Sequence, residues 1–410
     1  MNKEQIYIKN GILIDGVSHR LKEGSVLIEG NRVKEVGDCK PLKSGKSKEI
    51  DATGCSVMPG LIDCHIHLTF NGELTHYELF LQPISTMAIK AAASAKKYVE
   101  TGFTTVRDLG SFEYIGVSVR NCINSGIIQG PRVLSAGIPL TITGGHGELF
   151  PPWINFPEDN YVRRVDGKVE IRKEIRKQVA AGVDLIKVFA SGGISEETTL
   201  PGIREFSDEE LKTVVEEAES AKKLVAAHAN GEGMKAALRA GIKSIEHGFF
   251  LDEEGVKLMK EKRAFLVPTL KANDSLQKCD EKSLTKPVAE KVRMIRGVPE
   301  KSFKKALENN IKIAMGTDAG SPNNHHGDNS VELSLMVKNG MSELQAVRAA
   351  TINAAELLGL SDQIGSIEAG KTADLIIVKG NPLNNISILQ NKDNIRCVIK
   401  EGKLLKNVNM

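Results

Sequence analysis

Short apolar runs separated by polar turns occupy both ends of the chain. The N-terminal runs lie at residues 6–8, 11–14, 25–28 and 32–36. Residues 373–378 and 397–403 show the same pattern of apolar runs and turns near the C-terminus. Short apolar runs bounded by glycines and polar clusters are typical of β-strands. We therefore expect one discontinuous β-sandwich domain, formed by residues 1–57 and 363–410.

The middle of the chain alternates apolar strand-like runs with stretches of helical periodicity. The predicted strands are 60–65, 104–107, 132–136, 184–189, 224–228, 243–247, 264–268 and 311–316. Residues 85–101 and 207–224 are helical in pattern, and Ser207 and Glu210 have the spacing of a capping box. Repeated strand and helix units predict an α/β fold with a parallel sheet, most economically a TIM (β/α)8 barrel over residues 58–362. A doubly wound open sheet is the alternative, but the glycine-rich phosphate turn that it requires after the first strand is absent.

Composition and charge narrow the class of protein. The 410 residues are 41% hydrophobic and 26% charged, as in an average globular protein, and the net charge of +3 gives no basic footprint for nucleic acid. The polar N-terminus does not resemble a secretory signal and no segment reads as a membrane span, so we expect a cytoplasmic protein without nucleic-acid or membrane partners. Its six cysteines lack C-x-x-C spacing and are expected to be reduced thiols.

Polar residues gather at the predicted C-terminal ends of the barrel strands. His65 and His67 end the first strand, Lys187 lies near the end of the fourth, and His228 and His247 end the fifth and sixth. Asp318 follows the eighth strand. Functional groups of a TIM barrel collect at this rim, because the loops there surround the mouth of the barrel.

The spacing of His65 and His67 sends both imidazoles to one face of a strand. Imidazole suits zinc and similar divalent ions, and a carboxylate often completes such sites. An isolated H-x-H fits two core or surface histidines equally well, but the other rim residues favour a metal site. Lys187 interrupts an apolar strand, which leaves two interpretations. Either it pairs with a carboxylate or reaches solvent, or its neutral amine captures carbon dioxide and the carbamate bridges two metal ions.

These residues resemble the metal-site pattern of the amidohydrolase superfamily, in the same order along the chain. Further signatures are Pro59-Gly60-Leu61-Ile62-Asp63 and the stretch Ile367-Glu368-Ala369-Gly370-Lys371-Thr372-Ala373-Asp374-Leu375. The resemblance implies two divalent ions, commonly zinc, with manganese, cobalt or iron as alternatives. It assigns His65, His67 and Asp318 to one ion, His228 and His247 to the other, and carboxylated Lys187 to the bridge.

The same resemblance implies a reaction. A hydroxide shared by the two ions would be the nucleophile, since metal binding brings the pKa of water toward neutrality. Asp318 would accept its proton and pass it to the leaving amine, which makes Asp318 the predicted catalytic residue. A plain helix cap is the alternative role for Asp318.

Within the superfamily the chain is most similar to dipeptidases of the prolidase and Xaa-Arg or Xaa-Lys type, with imidazolonepropionase-like hydrolases nearby. His146, in a glycine-flanked loop, is predicted to bind a substrate carbonyl or carboxylate, with a solvated loop histidine as the alternative. Asn230 and His326 are the other predicted substrate residues. Asn230 stands where some of these dipeptidases carry a tyrosine, which weakens the assignment to one peptidase specificity. His325 is expected to be solvated.

Two surrounding features are also assigned. The long loop 139–163, which contains the only tryptophan, is predicted to be a lid over an apolar substrate group or a contact with a second subunit. Asp108, at the end of the second strand, is expected to fix loop backbone or a ligand histidine.

The leading functional hypothesis is hydrolysis of a C–N bond in a dipeptide or N-acyl amino acid. The alternative is hydrolysis of a cyclic amide, a lactone or a xenobiotic ester or amide at the same site. Ring deamination is disfavoured by Asn230, and a non-catalytic scaffold is disfavoured because all six ligand positions are filled. The expected partner is a small-molecule substrate, and the expected assembly is a homo-oligomer.

Overall fold

The computed structural model describes residues 5–17, 22–41, 47–73, 79–148, 153 and 160–408. The two ends of the chain form one eight-stranded sheet, in the order β18-β17-β16-β5-β1-β2-β3, with β4 beside β1. The strands are β1 Gln5–Leu13, β2 Lys22–Glu29, β3 Arg32–Gly37, β4 Ser47–Asp51, β5 Cys55–Pro59, β16 Leu375–Lys379, β17 Ile395–Lys400 and β18 Lys403–Asn407. The antiparallel pairing of β5 with β16 joins the ends. Apolar residues from both ends, among them Ile8, Val26, Val57 and Ile377, form one core. The domain boundaries at 57/58 and 362/363 stay a prediction.

The middle of the chain supplies parallel strands and most of the helices. The strands are β6 Leu61–Ile66, β7 Phe103–Asp108, β8 Arg132–Ser135, β9 Leu140–Thr141, β10 Arg163–Arg164, β11 Leu185–Phe189, β12 Leu224–Ala229, β13 Ser244–His247, β14 Phe265–Val267 and β15 Lys312–Ile313. The α-helices are α1 Ile84–Glu100, α2 Ile115–Asn124, α3 Gly167–Ala180, α4 Asp208–Ser220, α5 Gly231–Ala240, α6 Glu253–Lys262, α7 Leu270–Gln277, α8 Lys286–Met294, α9 Val298–Glu308, α10 Val331–Lys338, α11 Glu343–Ala349 and α12 Ile352–Leu357. Short 3-10 helices lie at Phe112–Tyr114, Glu281–Ser283 and Ile386–Gln390.

The parallel strands form two sheets that are hydrogen-bonded to each other at two junctions. One sheet has the order β6-β7-β8 and the other the order β10-β9-β11-β12-β13-β14-β15. At one junction the backbone N–H of Asp184 donates to Ser135 O at 2.8 Å. At the other, Cys64 N donates to Met315 O at 2.9 Å and Asp318 N to His65 O at 2.7 Å. The second junction places the end of β6 beside the chain that follows β15.

Local sequence explains several of these elements. Each of the eight predicted strands coincides with an observed one, although the predicted strand 311–316 is regular only over Lys312–Ile313. The capping box at the start of α4 is confirmed, since Ser207 and Glu210 exchange both expected hydrogen bonds. The glycine before β6 allows close packing against β7, because a Cβ at Gly60 would lie 2.1 Å from Thr104 Oγ1.

Two expectations from composition can be compared with the structure. All six cysteines are free thiols, as predicted. Among the described residues, no helix is both long enough and apolar enough to cross a bilayer.

A buried ion pair connects the parallel-strand region to the sheet of the chain ends. Arg132, on β8, donates to Asp374 Oδ2 at 2.6 Å and to Glu401 Oε1 at 2.8 Å. The Asp374 side chain is only 2% exposed, and its Oδ1 accepts the Glu401 backbone N–H at 2.7 Å. Removing Arg132 would leave a buried carboxylate without its cation.

We predict that Arg132→Met lowers the free energy of unfolding by about 3 kcal/mol, because breaking one side of a buried pair strands the other charge. Chemical denaturation followed by circular dichroism measures the change. The matched control is Lys96→Met, which removes an exposed i,i+4 pair with Glu100 and should cost less than about 1 kcal/mol. Equal shifts in the two variants would contradict a stabilising role for this junction.

Candidate active site

A cavity of about 410 Å³ lies at the C-terminal ends of the parallel strands. Eight of the nine residues predicted for the site line it: His65, His67, His146, Lys187, His228, Asn230, His247 and Asp318. His326 does not belong to this lining. The residues come from segments far apart in sequence, as the barrel prediction requires.

His65, His67 and Asp318 form a compact cluster. Asp318 Oδ1 lies 3.3 Å from His65 Nε2 and 3.1 Å from His67 Nε2. One potential ligand atom from each residue lies within 4.8 Å of the other two. Strand alternation explains the shared side of the histidines, since Ile66 between them is buried in the apolar core. The cluster has the donor types of a divalent-metal site.

The environment favours the protonation states that a metal needs. Burial, followed by nearby Lys187, holds the pKa of His65 well below its usual value, so the imidazole is neutral. Burial alone would raise the pKa of Asp318, but His65 and His67 outweigh it and leave the pKa below the usual value. The cluster therefore offers a neutral imidazole and an ionised carboxylate, which are the ligating forms.

His228 and His247 lie beside this cluster. Their ring centroids are 4.5 Å apart, and that of His247 is 5.1 Å from that of His65. Burial lowers the pKa of His247 to about 4 and holds that of His228 well below its usual value. His247 has a positive φ of 68°, so its backbone turns away from the strand at this point. Both imidazoles are neutral and available as ligands.

The second nitrogen of each ring indicates which atom is left for a metal. His65 Nδ1 lies 2.9 Å from Glu246 Oε2, His67 Nδ1 lies 3.0 Å from Gly110 O, and His247 Nδ1 lies 2.7 Å from Thr269 Oγ1. Nε2 is then the candidate ligand atom of these three rings, and in His65 and His67 it faces Asp318 Oδ1. His228 differs, because its Nε2 contacts Gly192 O at 3.4 Å and Asn230 Nδ2 at 3.3 Å, which leaves Nδ1. Metal-bound histidines usually hold their other nitrogen in this way.

Lys187, in β11, is 1% exposed and lines the cavity. No carboxylate oxygen of the described residues comes within 4.0 Å of its Nζ, and the nearest described aromatic ring, that of Phe189, is centred 5.8 Å away. Burial lowers the Lys187 pKa to about 8, despite the opposing effects of Glu246 and Asp318. A direct ion pair and escape to solvent are therefore both excluded. The amine is partly neutral near physiological pH.

Two functional residues escaped the sequence prediction: Glu246 and Arg107. Glu246, fully buried on β13, holds His65 through its Oε2 and binds Arg107 Nη2 at 2.9 Å through its Oε1. Arg107 also donates to Cys64 O at 2.5 Å and to Ser244 Oγ at 2.9 Å. The sequence feature that could have indicated Glu246 is the alternation along β13. Ser244 and Glu246 lie on one side of the strand, and buried Ile245 lies on the other.

Two aspartates fix the backbone around the cluster. Asp63 Oδ1 accepts the backbone N–H groups of His65 and Thr317, each at 3.1 Å. Its Oδ2 accepts Thr317 Oγ1 and Asn329 Nδ2, each at 2.7 Å. Burial raises the Asp63 pKa to about 6 even though these hydrogen bonds oppose it. Asp108 fixes loop backbone, as expected, by accepting Leu68 N at 3.1 Å.

His146 and Asn230 occupy the positions predicted for substrate contact. The His146 ring centroid lies 4.2 Å from that of His228, and His146 Nδ1 lies 2.7 Å from Glu196 Oε2. Asn230 Oδ1 accepts the Phe249 backbone N–H at 2.7 Å. Both side chains are therefore held in place within the cavity wall.

His326 requires a correction, because the geometry does not support a direct substrate contact. Its Nδ1 lies 2.6 Å from the Tyr98 hydroxyl and its Nε2 lies 2.7 Å from Phe70 O. Burial lowers its pKa to about 4. Both nitrogens are used inside the protein, so His326 positions Phe70, whose ring packs edge-on against His67 at 5.6 Å. His325, in contrast, is exposed, as expected.

Part of the predicted lid, residues 149–152 and 154–159, lies outside the described residues. Trp153 is described and is 81% exposed. Tyr161, near the end of that loop, lines the cavity and stacks on Phe112 at a centroid distance of 5.3 Å. Tyr161 is thus a cavity residue that the sequence did not single out.

The rest of the lining is mainly apolar. Aromatic and aliphatic side chains include Phe70, Leu79, Phe189, Ile194, Phe249, Leu276, Leu284, Val288 and Ile295. No arginine is among the described lining residues. Polar residues outside the predicted site also contribute to the lining, among them Glu73, Glu196, Glu197, Asn273, Ser283 and Thr285.

Comparison with known proteins identifies relatives over nearly the whole chain. Residues 56–405 match the amidohydrolase family model. Ochratoxinase from Aspergillus niger is 33% identical over 419 residues, covering 97% of this chain and 85% of that protein. A solved Xaa-Pro dipeptidase with bound methionine is 36% identical, with a TM-score of 0.88, and covers 98% of this chain and 100% of that one. A solved prolidase with bound N-methylphosphonate-L-proline is 32% identical, with a TM-score of 0.91 and the same coverage. These relatives imply a TIM barrel with an additional domain.

We predict that Glu246→Gln weakens binding of divalent metal by about 10–100-fold, because residues that orient a ligand histidine contribute this much to metal affinity. Competition with a chelator, followed by elemental analysis, measures the change. Glu219→Gln, at an exposed position of α4, is the matched control. Unchanged affinity in Glu246→Gln would show that His65 does not depend on this carboxylate.

Proposed function

Since the chain belongs to the amidohydrolase family, a family of hydrolases, we propose that it cleaves the amide bond of a dipeptide or an N-acyl amino acid at a centre of two divalent metal ions. The observation that supports this most directly is a shared cavity. Its wall contains His65, His67, His228 and His247 together with Asp318 and Lys187. Relatives named as an Xaa-Pro dipeptidase and a prolidase favour a substrate that contains an amino acid.

The residues present fit two metal ions. His65, His67 and Asp318 would hold one ion, and His228 and His247 the other. Lys187 would bridge them after its neutral amine attacks carbon dioxide, forming an N–C bond and releasing a proton. The lowered pKa of about 8 and the lack of a carboxylate partner support this assignment. Zinc suits these nitrogen and oxygen donors best, with manganese, cobalt or iron as alternatives.

When bound, such ions acidify water and polarise a carbonyl group. The protein's own part in the reaction falls to Asp318, whose lowered pKa keeps it ionised and whose Oδ1 lies within 3.3 Å of both His65 Nε2 and His67 Nε2. Its carboxylate accepts the proton of the attacking water and then donates it to the nitrogen of the leaving amine. Glu246 keeps His65 in one orientation meanwhile.

The cavity volume of about 410 Å³ lies within the range of small-molecule sites and suits a substrate of dipeptide size. The similarity to ochratoxinase, together with the apolar lining, supports a second candidate, a xenobiotic amide or ester, a cyclic amide or a lactone. A screen of metal-loaded enzyme against dipeptides, N-acyl amino acids, cyclic amides and lactones separates them. Turnover of lactones alone would overturn the amide proposal. The homo-oligomer and the domain boundaries stay predictions from the sequence.

We predict that Lys187→Ala removes activity to the detection limit and reduces the bound metal, because the bridging carboxylate cannot form. Adding a short carboxylic acid such as formate should restore part of the activity, and wild-type activity after metal removal should depend on bicarbonate. Metal analysis and turnover assays measure these effects. Lys243→Ala, at an exposed position before β13, is the control. Full metal content and turnover in Lys187→Ala would refute the bridge.

We predict that Asp318→Asn lowers kcat by about 10²–10⁴-fold, the usual contribution of a group that transfers a proton. The amide cannot accept the proton of water, so the loss should fall on kcat more than on KM. Steady-state kinetics measure the split, and exposed Asp328→Asn is the control. A change confined to KM would assign Asp318 to binding instead.

A further inference from the structure

Lys291, in helix α8, is a buried cation outside the metal cluster. It is 3% exposed, and its ammonium donates to the backbone carbonyls of Glu196, of Thr199 at 2.9 Å and of Gly193 at 3.4 Å. None of the described carboxylates forms an ion pair with it within 4.0 Å. An ammonium has three donors, so the three carbonyls satisfy it fully. Loss of these donors would leave buried carbonyls without partners, which is costly.

The three carbonyls belong to one loop between β11 and α4. Bridges between Gly192 and Pro201 and between Ser191 and Arg204 close the base of this loop. Its backbone then curves around the Lys291 ammonium. The position of the loop therefore depends on a residue of a different segment of the chain.

The same loop holds His146 from two sides. Glu196 Oε2 binds His146 Nδ1 at 2.7 Å, and Glu196 Oε1 accepts the Gly147 backbone N–H at 3.1 Å. Gly193 packs directly on the ring, since a Cβ at that position would lie 2.2 Å from His146 Cε1. A shift of the loop would consequently move a side chain that borders the metal cluster.

Helix α8 also contributes apolar residues to the cavity. Val288 and Ile295 lie three residues before and four residues after Lys291, so all three share one side of the helix. Both line the cavity. Leu276 and Leu284, in the segment that precedes helix α8, and Ile194, in the loop that Lys291 binds, line it as well. Lys291 thus connects the two segments that supply this apolar lining.

We propose that these two segments form a subsite for a large apolar side chain of the substrate, and that Lys291 is the positioning residue that fixes its width. The inference rests on the proposed amide hydrolysis and names the class of substrate. Leucine, methionine or phenylalanine is the expected side chain, and arginine, lysine or glycine is not. Of the three described glutamates that line the cavity, Glu73, Glu196 and Glu197, the carboxylate of Glu196 is occupied by His146 and Gly147, and the arginine substrates in the test address the other two.

The test compares the series Gly-Xaa and Xaa-Gly, with Xaa as glycine, leucine, phenylalanine or arginine, on the metal-loaded enzyme. In one series leucine and phenylalanine should exceed glycine by about 10–100-fold in kcat/KM, the usual effect of filling an apolar pocket. Lys291→Met should abolish most of this preference, mainly by raising KM for the leucine and phenylalanine substrates. Lys291→Arg should retain the preference in part, because its donors remain. Exposed Lys286→Met, on the same helix, should behave as the wild type.

Two further measurements distinguish the possible failures. Hydrogen exchange should accelerate across residues 191–204 in Lys291→Met but not in Lys286→Met. Val288→Phe keeps Lys291 and should weaken binding of leucine and phenylalanine relative to glycine, which covers the case in which Lys291→Met does not fold. If no peptide is cleaved, the proposed function fails, and calorimetric binding of free leucine, phenylalanine, glycine and arginine decides the subsite. Preference for arginine or glycine, or unchanged selectivity and exchange in Lys291→Met, would overturn the inference.

Discussion

The site depends on the hydrogen bonds that join β6 to the chain after β15. Asp318 N donates to His65 O at 2.7 Å, and Asp63 accepts the backbone N–H groups of both His65 and Thr317. These contacts bring together residues separated by about 250 positions in sequence. Because each of these hydrogen bonds involves a backbone group of the protein, they place Asp318 beside the histidines whether or not a ligand is bound. The cluster of His65, His67 and Asp318 is a consequence of how the parallel strands meet.

Burying charged side chains near this junction costs free energy. Hydrogen bonds within the buried polar network offset that cost. Arg107 and Glu246 are fully buried, and a buried ion pair typically contributes little net stability once desolvation is counted. Their position explains them better than stability does. Arg107 ties Glu246 to the backbone of β6 through Cys64 O, and Glu246 holds His65 Nδ1. The pair therefore links the position of β6 to the orientation of the His65 imidazole.

The sequence predicted the strands, the capping box of α4 and eight of the residues that converge on the cavity, because those depend on local periodicity and on strand ends. It did not distinguish His146 from His326, since both lie in glycine-containing loops. Only the folded chain places His326 between Tyr98 and Phe70. Glu246 and Lys291 escaped for a related reason. Each of these residues joins two segments of the chain. The sequence of one strand or helix does not show which residue of the other segment it will contact.

The chemistry and the selectivity of this cavity have different structural sources. His65, His67 and Asp318 lie at or after strand ends, where backbone hydrogen bonds and the contacts of Asp63 hold the backbone. Part of the apolar lining comes from the loop after β11 and from helix α8, which are joined through the Lys291 ammonium rather than through a sheet. A substitution in these outer segments can change which side chain fits without disturbing the histidines. Relatives that share the cluster can thus differ in substrate while keeping one reaction.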